Sequence, residues 1–210
     1  MIELKKIYKR YGNTVILDGV NCEFKPNNIY GIVGRNGSGK TVLLKMLCGL
    51  VSASSGSILI DGQPRRKNDV MLPNSGVIIE EPGFIDSYSG LTNLKLLGML
   101  NGKISKSDIE KAMNLLQLDP CDKKPVGKYS LGMRQRLGIA QAIMENPEYL
   151  ILDEPMNGLD DYNLMIVRKL FQELKNNGKT IIMATHSYDD INNLCDHVYE
   201  IKNGQMRKVK

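Results

Sequence analysis

The sequence predicts an α/β protein in which a block of helices interrupts the alternation of strands and helices. Short apolar runs typical of strands occupy both ends of the chain, and helical spacing of apolar residues dominates from about residue 91 to residue 145. After Pro147 the alternation of strand and helix resumes. Because 210 residues suit one domain with a sizeable core, we expect a single domain, with a core and β subdomain in 1–83 and 146–210 and a helical subdomain in about 84–145.

The individual elements follow from periodicity and turn residues. In the first part of the chain we expect strands at 2–7, 15–17, 20–24, 29–33 and 57–60, and a helix at 41–50. After Pro147 we expect strands at 149–152, 180–184 and 197–201, and helices at 160–176 and 188–194. The 160–176 helix has its apolar residues on one face, at Val167, Leu170, Phe171 and Leu174, and Gly178 is the expected stop.

The composition is that of an ordinary globular protein. Apolar residues make up 42% of the chain, charged residues 24%, and the net charge is +5. No run approaches the roughly 18 apolar residues that a membrane span needs, and the charged, alternating start predicts a strand rather than a signal peptide. Any membrane role is therefore expected to come through a partner chain.

Basic and aromatic residues give no sign of a nucleic-acid partner. The basic run at 65–67 follows a turn and is interpreted as a solvated loop. Three Phe and no Trp leave few rings on which bases could stack. The four cysteines have no paired spacing, so we expect buried apolar thiols rather than a zinc or redox site.

A glycine-rich segment between a predicted strand and a predicted helix is the most informative motif. Glycines let the backbone wrap closely, so that successive N–H groups and the helix dipole favour bound phosphate. A plain glycine-rich turn is the alternative, but the flanking strand and helix favour a site for a nucleoside triphosphate. Lys40 is expected to reach the β- and γ-phosphates, and the Thr41 hydroxyl to bind Mg²⁺. The predicted phosphate-binding residues are Gly34, Arg35, Asn36, Gly37, Ser38, Gly39, Lys40 and Thr41.

Polar residues follow two further predicted strands. The apolar run 149–152 ends in Asp153 and Glu154, and the run 180–184 ends in Thr185 and His186. Ligands of open α/β sheets bind outside the carboxyl ends of strands. We expect Asp153 to hold Mg²⁺ through water and Glu154 to orient or deprotonate the attacking water. His186 is expected to contact the γ-phosphate or to hold the water and Glu154; the alternatives are an acidic corner and a structural histidine.

Residues 129–136, Tyr-Ser-Leu-Gly-Met-Arg-Gln-Arg, resemble the signature of ABC transporter ATP-binding subunits, and the similarity covers essentially the whole chain. The resemblance implies a P-loop NTPase core of the ABC ATPase type, with an antiparallel β subdomain and a helical insertion. It matches Tyr11 to the aromatic that stacks on adenine and Glu80 to the usual Q-loop glutamine, here a candidate metal ligand. Ser130 and Gly132 match γ-phosphate contacts, and 157–160 matches the D-loop. Leu131 and Met133 depart from the usual signature.

The same resemblance implies how the protein works. Two copies are expected to bind head-to-tail with ATP and Mg²⁺ between them, and hydrolysis is expected to power a separate integral membrane permease. The protein would then be cytoplasmic, peripheral on the cytoplasmic face of the membrane. The segment 82–97 is expected to dock the permease through Phe84, Ile85, Tyr88 and Leu91.

The cargo and two rival functions stay open at this stage. Local sequence is similar to that of ATPases of bacitracin or lantibiotic exporters, which predicts antimicrobial-peptide export or immunity. One rival is an ABC-type ATPase that serves soluble machinery such as iron–sulfur cluster assembly. The other is a nucleotide-binding regulator without turnover, against which the intact Glu154 and His186 argue.

Overall fold

The computed structural model describes residues 1–65, 72–101 and 104–210 and contains two β-sheets and six α-helices in that part of the chain. The strands are β1 Ile2–Tyr11, β2 Thr14–Phe24, β3 Ile29–Val33, β4 Ser55–Ile60, β5 Gln63–Pro64, β6 Ser75–Ile78, β7 Tyr149–Asp153, β8 Thr180–Ala184, β9 His197–Lys202 and β10 Gln205–Lys208. The helices are α1 Lys40–Cys48, α2 Gly90–Asn101, α3 Lys106–Leu115, α4 Leu131–Ile143, α5 Asp161–Asn176 and α6 Tyr188–Asn193.

The central sheet has six strands in the order β10-β9-β3-β8-β7-β6. The strands from β9 to β6 are parallel, and β10 is an antiparallel edge strand. Strands β3, β7 and β8 are neighbours, so the loops that follow them leave the same edge of the sheet side by side. This arrangement brings together the phosphate-binding loop, the Asp153–Glu154 pair and His186.

Side chains of the central strands alternate between two cores, one on each face of the sheet. Leu150 and Leu152 of β7 pack among α2, α3, α4 and α5 on one face. Tyr149 and Ile151 of the same strand pack on the other face, with α1 and the second sheet. Burial on both faces explains why β3, β7 and β8 are apolar runs rather than alternating sequences.

The second sheet is antiparallel, with four strands in the order β2-β1-β4-β5. Its apolar side chains join α1 in the second core, so this sheet lies on the α1 side of the central sheet. Strand β2 abuts the phosphate-binding loop: a Cβ on Gly39 would lie 3.1 Å from Ile16 Cγ2. The antiparallel sheet therefore forms one wall beside the loop.

Most predicted elements are confirmed, with differences at their ends. The predicted strands 29–33 and 180–184 coincide with β3 and β8. Helix α1 ends at Cys48 rather than at residue 50, because Gly49 adopts a left-handed conformation (φ 87°) and its N–H bonds back to Met46 O. The predicted helical stretch 91–145 contains three α-helices, and Ser130 caps the last of them, with Ser130 Oγ accepting from Met133 N at 3.2 Å. Strands β5, β6 and β10 were not among the predicted strands.

Two expectations about surface and core residues need correction. Arg65 is half-buried and donates to Leu47 O at 2.7 Å and Cys48 O at 2.9 Å, because the free carbonyls at the end of α1 attract a cation. The prediction of a solvated loop is thus wrong for Arg65, and Arg66 and Lys67 lie outside the described residues. Three cysteines are buried as expected, but Cys121 is exposed.

Within the ranges that the structure describes, no helix combines the length and the apolar composition that a membrane crossing requires.

Candidate nucleotide-binding site

The loop between β3 and α1 has the backbone shape of a close-fitting anion site. A Cβ on Gly34 would lie 2.5 Å from Ile201 O, so no larger residue fits there without a shift. Gly39 has a left-handed φ of 104° and precedes α1 without offering a side-chain acceptor to the first turn. The first N–H groups of α1 therefore remain available to an anion at the helix N-terminus.

Lys40 and Ser38 lie in this loop with polar groups suited to a ligand. The buried Lys40 ammonium donates to Gly34 O at 2.9 Å and to Arg35 O at 3.3 Å, both carbonyls of the loop itself. Ser38 Oγ is buried and has no hydrogen-bond partner among the described residues. A buried hydroxyl without a partner is costly, so these groups fit a site that phosphate oxygens complete.

Thr41 and Asp153 join the loop to the end of β7. Thr41 Oγ1 donates to Asp153 Oδ2 at 2.7 Å, although the two residues are 112 positions apart in the sequence. A hydroxyl and a carboxylate are hard oxygen donors of the kind Mg²⁺ prefers. Among the described residues, no group of three or more His, Cys, Asp or Glu could hold a metal by itself. The pair therefore fits a Mg²⁺ that takes its remaining ligands from phosphate oxygens and water.

Glu154 and His186 form the third part of the site. Glu154 Oε2 lies 2.9 Å from His186 Nδ1, and Glu154 N donates to Ala184 O at 3.1 Å. His186 has 70% of its side chain exposed, whereas Glu154 is 29% exposed. The arrangement can hold a carboxylate beside the loop and orient it through an imidazole that is itself open to an incoming group.

These residues surround a cleft of about 650 Å³. The phosphate-binding loop and α1 line it together with Leu131 and Gln135 of α4. A second cleft, of about 700 Å³, adjoins it on the side of β2 and the β9–β10 turn and shares Ile16, Asn36 and Gly37 with the first. The two clefts share residues of the phosphate-binding loop, so a ligand bound at the loop could extend from the first cleft into the second.

Three predicted site residues lie apart from this cluster. Tyr11 lies at the end of β1, is 51% exposed, and has Lys9 Nζ 4.6 Å from its ring centroid. Ser130 and Gly132 begin α4, where a Cβ on Gly132 would lie 3.1 Å from Gly158 O. Neither Tyr11, Ser130 nor Gly132 lines either of the two clefts, so their assigned contacts with nucleotide stay predictions.

The Glu80 carboxylate has a partner that the sequence did not suggest. Glu80 lines the first cleft, and its Oε1 accepts from Lys45 Nζ of α1 at 2.7 Å. The side chain that was predicted to be a metal ligand is therefore paired with a cation in this structure. Its role as a ligand stays a prediction.

Sequence reasoning also missed Gln135, whose Nε2 donates to Glu154 O at 3.1 Å. The only available signal was its position five residues after Ser130 on the same predicted helix. That position does not show whether the side chain faces the site, because the rotation of the helix about its axis is not known from the sequence.

Comparison with known proteins places this site in a family. Residues 17–157 match the family model described as ABC transporter. The chain is 40% identical to an uncharacterized ABC transporter ATP-binding protein of Bacillus subtilis, over 98% of this chain and 94% of the relative. It is 38% identical to the bacitracin transport ATP-binding protein of Enterococcus faecalis, over 98% and 68% of the two chains. A lantibiotic transport ATP-binding protein of Streptococcus pyogenes is 37% identical, over 98% and 89%.

Solved structures show the same fold. A component of an ABC transporter complex from Clostridium perfringens superposes with a TM-score of 0.84 at 30% identity, covering 98% of this chain and 86% of that one. The dimeric structure of a bacterial ABC transporter cassette has a TM-score of 0.84 at 23% identity, covering 100% and 99%. The predicted fold class, an ABC-type P-loop core with an antiparallel sheet and a helical insertion, is confirmed. The chain belongs to the ABC transporter family, as one of its ATP-binding subunits.

Proposed function

We propose that this subunit binds ATP with Mg²⁺ and hydrolyses it to power a separate membrane permease. One observation carries the proposal: three neighbouring strand ends bring Lys40, the Thr41–Asp153 pair and the Glu154–His186 pair to one cleft. Each group has a distinct task in phosphoryl transfer, and the protein's contribution to that reaction is chiefly positioning and electrostatic stabilisation.

The chain's own residues divide the work as follows. Lys40 exchanges its two loop carbonyls for phosphate oxygens, and the N–H groups at the start of α1 donate to the same phosphates. Thr41 and Asp153 would hold Mg²⁺, which would supply positive charge to the phosphates. Glu154 accepts a proton from the attacking water, and His186 keeps the carboxylate in place.

The position of Ser130 and Gly132 supports a head-to-tail dimer of two ATP-binding subunits. Both residues lie at the N-terminus of α4 but do not line their own chain's cleft. A second copy could present this helix start to the triphosphate, since a helix N-terminus attracts anions. The related cassette of the same fold that is dimeric supports this assembly. We also infer that residues 84–145 form a helical subdomain of this single ATP-binding domain.

A surface beside Glu80 suits the permease. Of the four apolar residues predicted to dock it, Phe84 is buried and Leu91 packs against the core, so these two support the helices rather than a partner. Ile85 and Tyr88 are 48% and 44% exposed and lie five and eight residues after Glu80. A docked helix at this position would lie close enough to Glu80 to respond to the nucleotide site.

The permease surface is tested by co-purification. An Ile85→Asp/Tyr88→Asp variant is expected to lose the permease, because charge on the exposed patch opposes an apolar contact. Leu115→Asp, an equally exposed position at the end of α3, is the control and is expected to retain it. Equal recovery of permease with both variants would remove this surface from the proposal.

Bacitracin and lantibiotic transport proteins are among the relatives at 37–40% identity. On this basis the proposed cargo is an antimicrobial peptide or a similar compound that the cell exports, with the ATPase on the cytoplasmic face of the membrane. These relatives favour a transporter over an ATPase that serves soluble machinery.

The central test is the Glu154→Gln variant. We expect ATP binding to persist, turnover to fall by about 100-fold or more because the general base is lost, and an ATP-bound dimer to accumulate in size-exclusion chromatography. Glu148→Gln makes the same chemical change on the exposed residue just before β7 and is expected to leave turnover within about twofold. Wild-type turnover in Glu154→Gln would contradict the proposed function.

A further inference from the structure

We propose that Gln135 is a positioning residue for Glu154, and that its side-chain bond to the Glu154 carbonyl makes the placement of the catalytic carboxylate depend on the position of helix α4. The inference rests on the proposed function, since it concerns the residue to which hydrolysis is assigned.

The backbone of Glu154 is in a conformation that its surroundings must hold. Its φ is +47°, in the left-handed region that L-residues other than glycine rarely adopt. Such a conformation is strained and persists only where neighbouring contacts fix it. The conformation matters because it sets the direction in which the carboxylate leaves the end of β7.

Four contacts fix Glu154, and each comes from a different segment. Its N–H donates to Ala184 O at 3.1 Å, and its carboxylate lies 2.9 Å from His186 Nδ1. Its carbonyl oxygen accepts twice, from Asn157 N at 3.2 Å and from Gln135 Nε2 at 3.1 Å. Both lone pairs of the carbonyl are therefore used.

Of the four contacts, only the one from Gln135 comes from α4. The other three contacts come from residues 157, 184 and 186, which belong to β8 and to the turns after β7 and β8. Within the described part of the chain, Gln135 is also the only side chain that bonds the Glu154 backbone. Its side chain is half-buried and lines the same cleft as Lys40 and Thr41. The amide thus ties the catalytic carboxylate to a helix that begins outside the loops of the site.

The start of α4 touches the same turn a second time. A Cβ on Gly158 would lie 2.5 Å from Leu131 Cδ2, so Leu131 covers this glycine closely. Leu131 and Gln135 are one turn apart on one helix, at a rise of about 1.5 Å per residue. Because the helix is rigid, a displacement of its N-terminus also displaces Gln135. The hydrogen bond from Gln135 then moves the Glu154 carbonyl.

This geometry has a consequence in the proposed dimer. Ser130 and Gly132, at the N-terminus of α4, are the residues offered to the nucleotide of the partner subunit. Nucleotide bound there moves or fixes α4, and Gln135 then fixes Glu154 of its own chain. Nucleotide binding at one site thereby changes the position of the catalytic carboxylate at the other site. Such a coupling between the two sites predicts cooperative hydrolysis.

The test uses the full-length protein with Gln135→Met, which keeps the side-chain length and removes the donor. We expect kcat to fall by about 10- to 100-fold, because a small displacement of a catalytic group carries that cost, while the dissociation constant for a non-hydrolysable ATP analogue stays within about twofold. The Hill coefficient for ATP is expected to fall towards 1. Gln135→His retains an N–H donor at a similar reach and is expected to keep kcat within about threefold of the wild-type value.

Gln141→Met is the matched control, because it makes the same chemical change on α4 at a position that does not line the cleft. We expect this control to leave kcat and the Hill coefficient unchanged. Thermal unfolding of each variant shows whether the protein stays folded. A fall in kcat that is matched by loss of analogue binding or of folding would overturn the positioning role.

The outcome separates this inference from the proposed function. If Gln135→Met and the wild-type protein share the same kcat and Hill coefficient while Glu154→Gln abolishes hydrolysis, the inference is wrong and the proposed function stands. If Glu154→Gln itself turns over ATP at the wild-type rate, the proposed function is wrong, and the inference that rests on it is wrong as well.

Discussion

Arg168 of α5 donates two hydrogen bonds to one carboxylate oxygen of Asp190 in α6, from Nε at 2.9 Å and from Nη2 at 2.6 Å. The Asp190 side chain is only 4% exposed, and its backbone N–H donates to Ser187 Oγ at 3.3 Å. Ser187 N in turn donates to Thr185 Oγ1 at 3.1 Å. His186 lies between Thr185 and Ser187 in the chain, so the ion pair anchors the loop that carries the proposed partner of Glu154.

We predict that Arg168→Met lowers the free energy of unfolding by about 3 kcal/mol, because it leaves a buried carboxylate without its partner. Turnover is expected to fall as well, since the loop around His186 loses its anchor. Lys169→Met is the control: Lys169 is exposed, and its nitrogen lies 3.9 Å from Glu173. Urea denaturation of both variants checks the prediction, and equal unfolding midpoints for the two would contradict it.

Gly76 provides a second prediction, about packing between the central sheet and α4. A Cβ on Gly76 would lie 1.8 Å from Ala142 O and 2.7 Å from Ala142 C, so β6 and α4 meet backbone to backbone. We expect Gly76→Ala to cost about 3 kcal/mol or to prevent folding, because backbone atoms cannot yield as a flexible side chain can. Gly83→Ala, where nothing lies within 4 Å of the new Cβ, is expected to be nearly neutral. If the Gly76→Ala and Gly83→Ala proteins unfold at the same temperature, the packing argument is refuted.

The parts of the site that the sequence predicted are those that a parallel sheet dictates. Strands buried on both faces are continuous apolar runs, and the polar residues after them must meet at one edge. That logic alone predicted that the ends of β7 and β8 would lie together, and Glu154 and His186 do lie 2.9 Å apart. The fold class followed from the same runs and from the helical spacing between them.

The contacts that the sequence did not predict are polar pairs between distant segments. Lys45 and Glu80 are 35 positions apart, and Gln135 and Glu154 are 19 apart. Neither pair belongs to a repeating pattern, because each depends on the rotation of a helix against the sheet rather than on periodicity within one element. The Arg65 contact was not predicted for a similar reason. Its guanidinium reaches the carbonyls at the end of α1 only because β5 lies beside that helix in the fold.

The cysteines give a third prediction, which tests burial directly. Burial raises the pKa of Cys48 and of Cys195 to about 12, and it raises the pKa of Cys22 as well, with a smaller contribution from the neighbouring Glu23. These thiols hold their protons at pH 8 and are shielded, whereas Cys121 is exposed. A disulfide reagent at pH 8 is therefore expected to label one thiol per native chain and four after denaturation. Cys121→Ser should abolish labelling of the native protein. Rapid labelling of a second thiol in the native protein would show that the buried cysteines are accessible to the reagent, against the prediction.

The last prediction concerns the ion pair between Lys45 and Glu80, which joins α1 to the segment after β6. The Glu80 side chain is 65% exposed and the Lys45 side chain 28%, so water screens the pair in part, and its removal is expected to change the free energy of unfolding by less than about 1 kcal/mol. Its effect on metal binding is expected to be larger. Lys45→Met leaves the Glu80 carboxylate unpaired beside the cleft and should lower the Mg²⁺ concentration for half-maximal turnover by roughly threefold, whereas Glu80→Gln should raise it by a similar factor.

The double variant Lys45→Met/Glu80→Gln restores charge neutrality and is expected to return close to the wild-type Mg²⁺ dependence, which makes the pair a double-mutant cycle. Binding of a fluorescent ATP analogue, titrated with Mg²⁺, measures the same shifts without turnover. If the single variants and the wild-type protein share one Mg²⁺ curve, Glu80 does not contribute to metal binding and acts only as the partner of Lys45. If the single variants shift and the double variant does not return, the two effects are not additive, and the contact at 2.7 Å couples the two residues in metal binding.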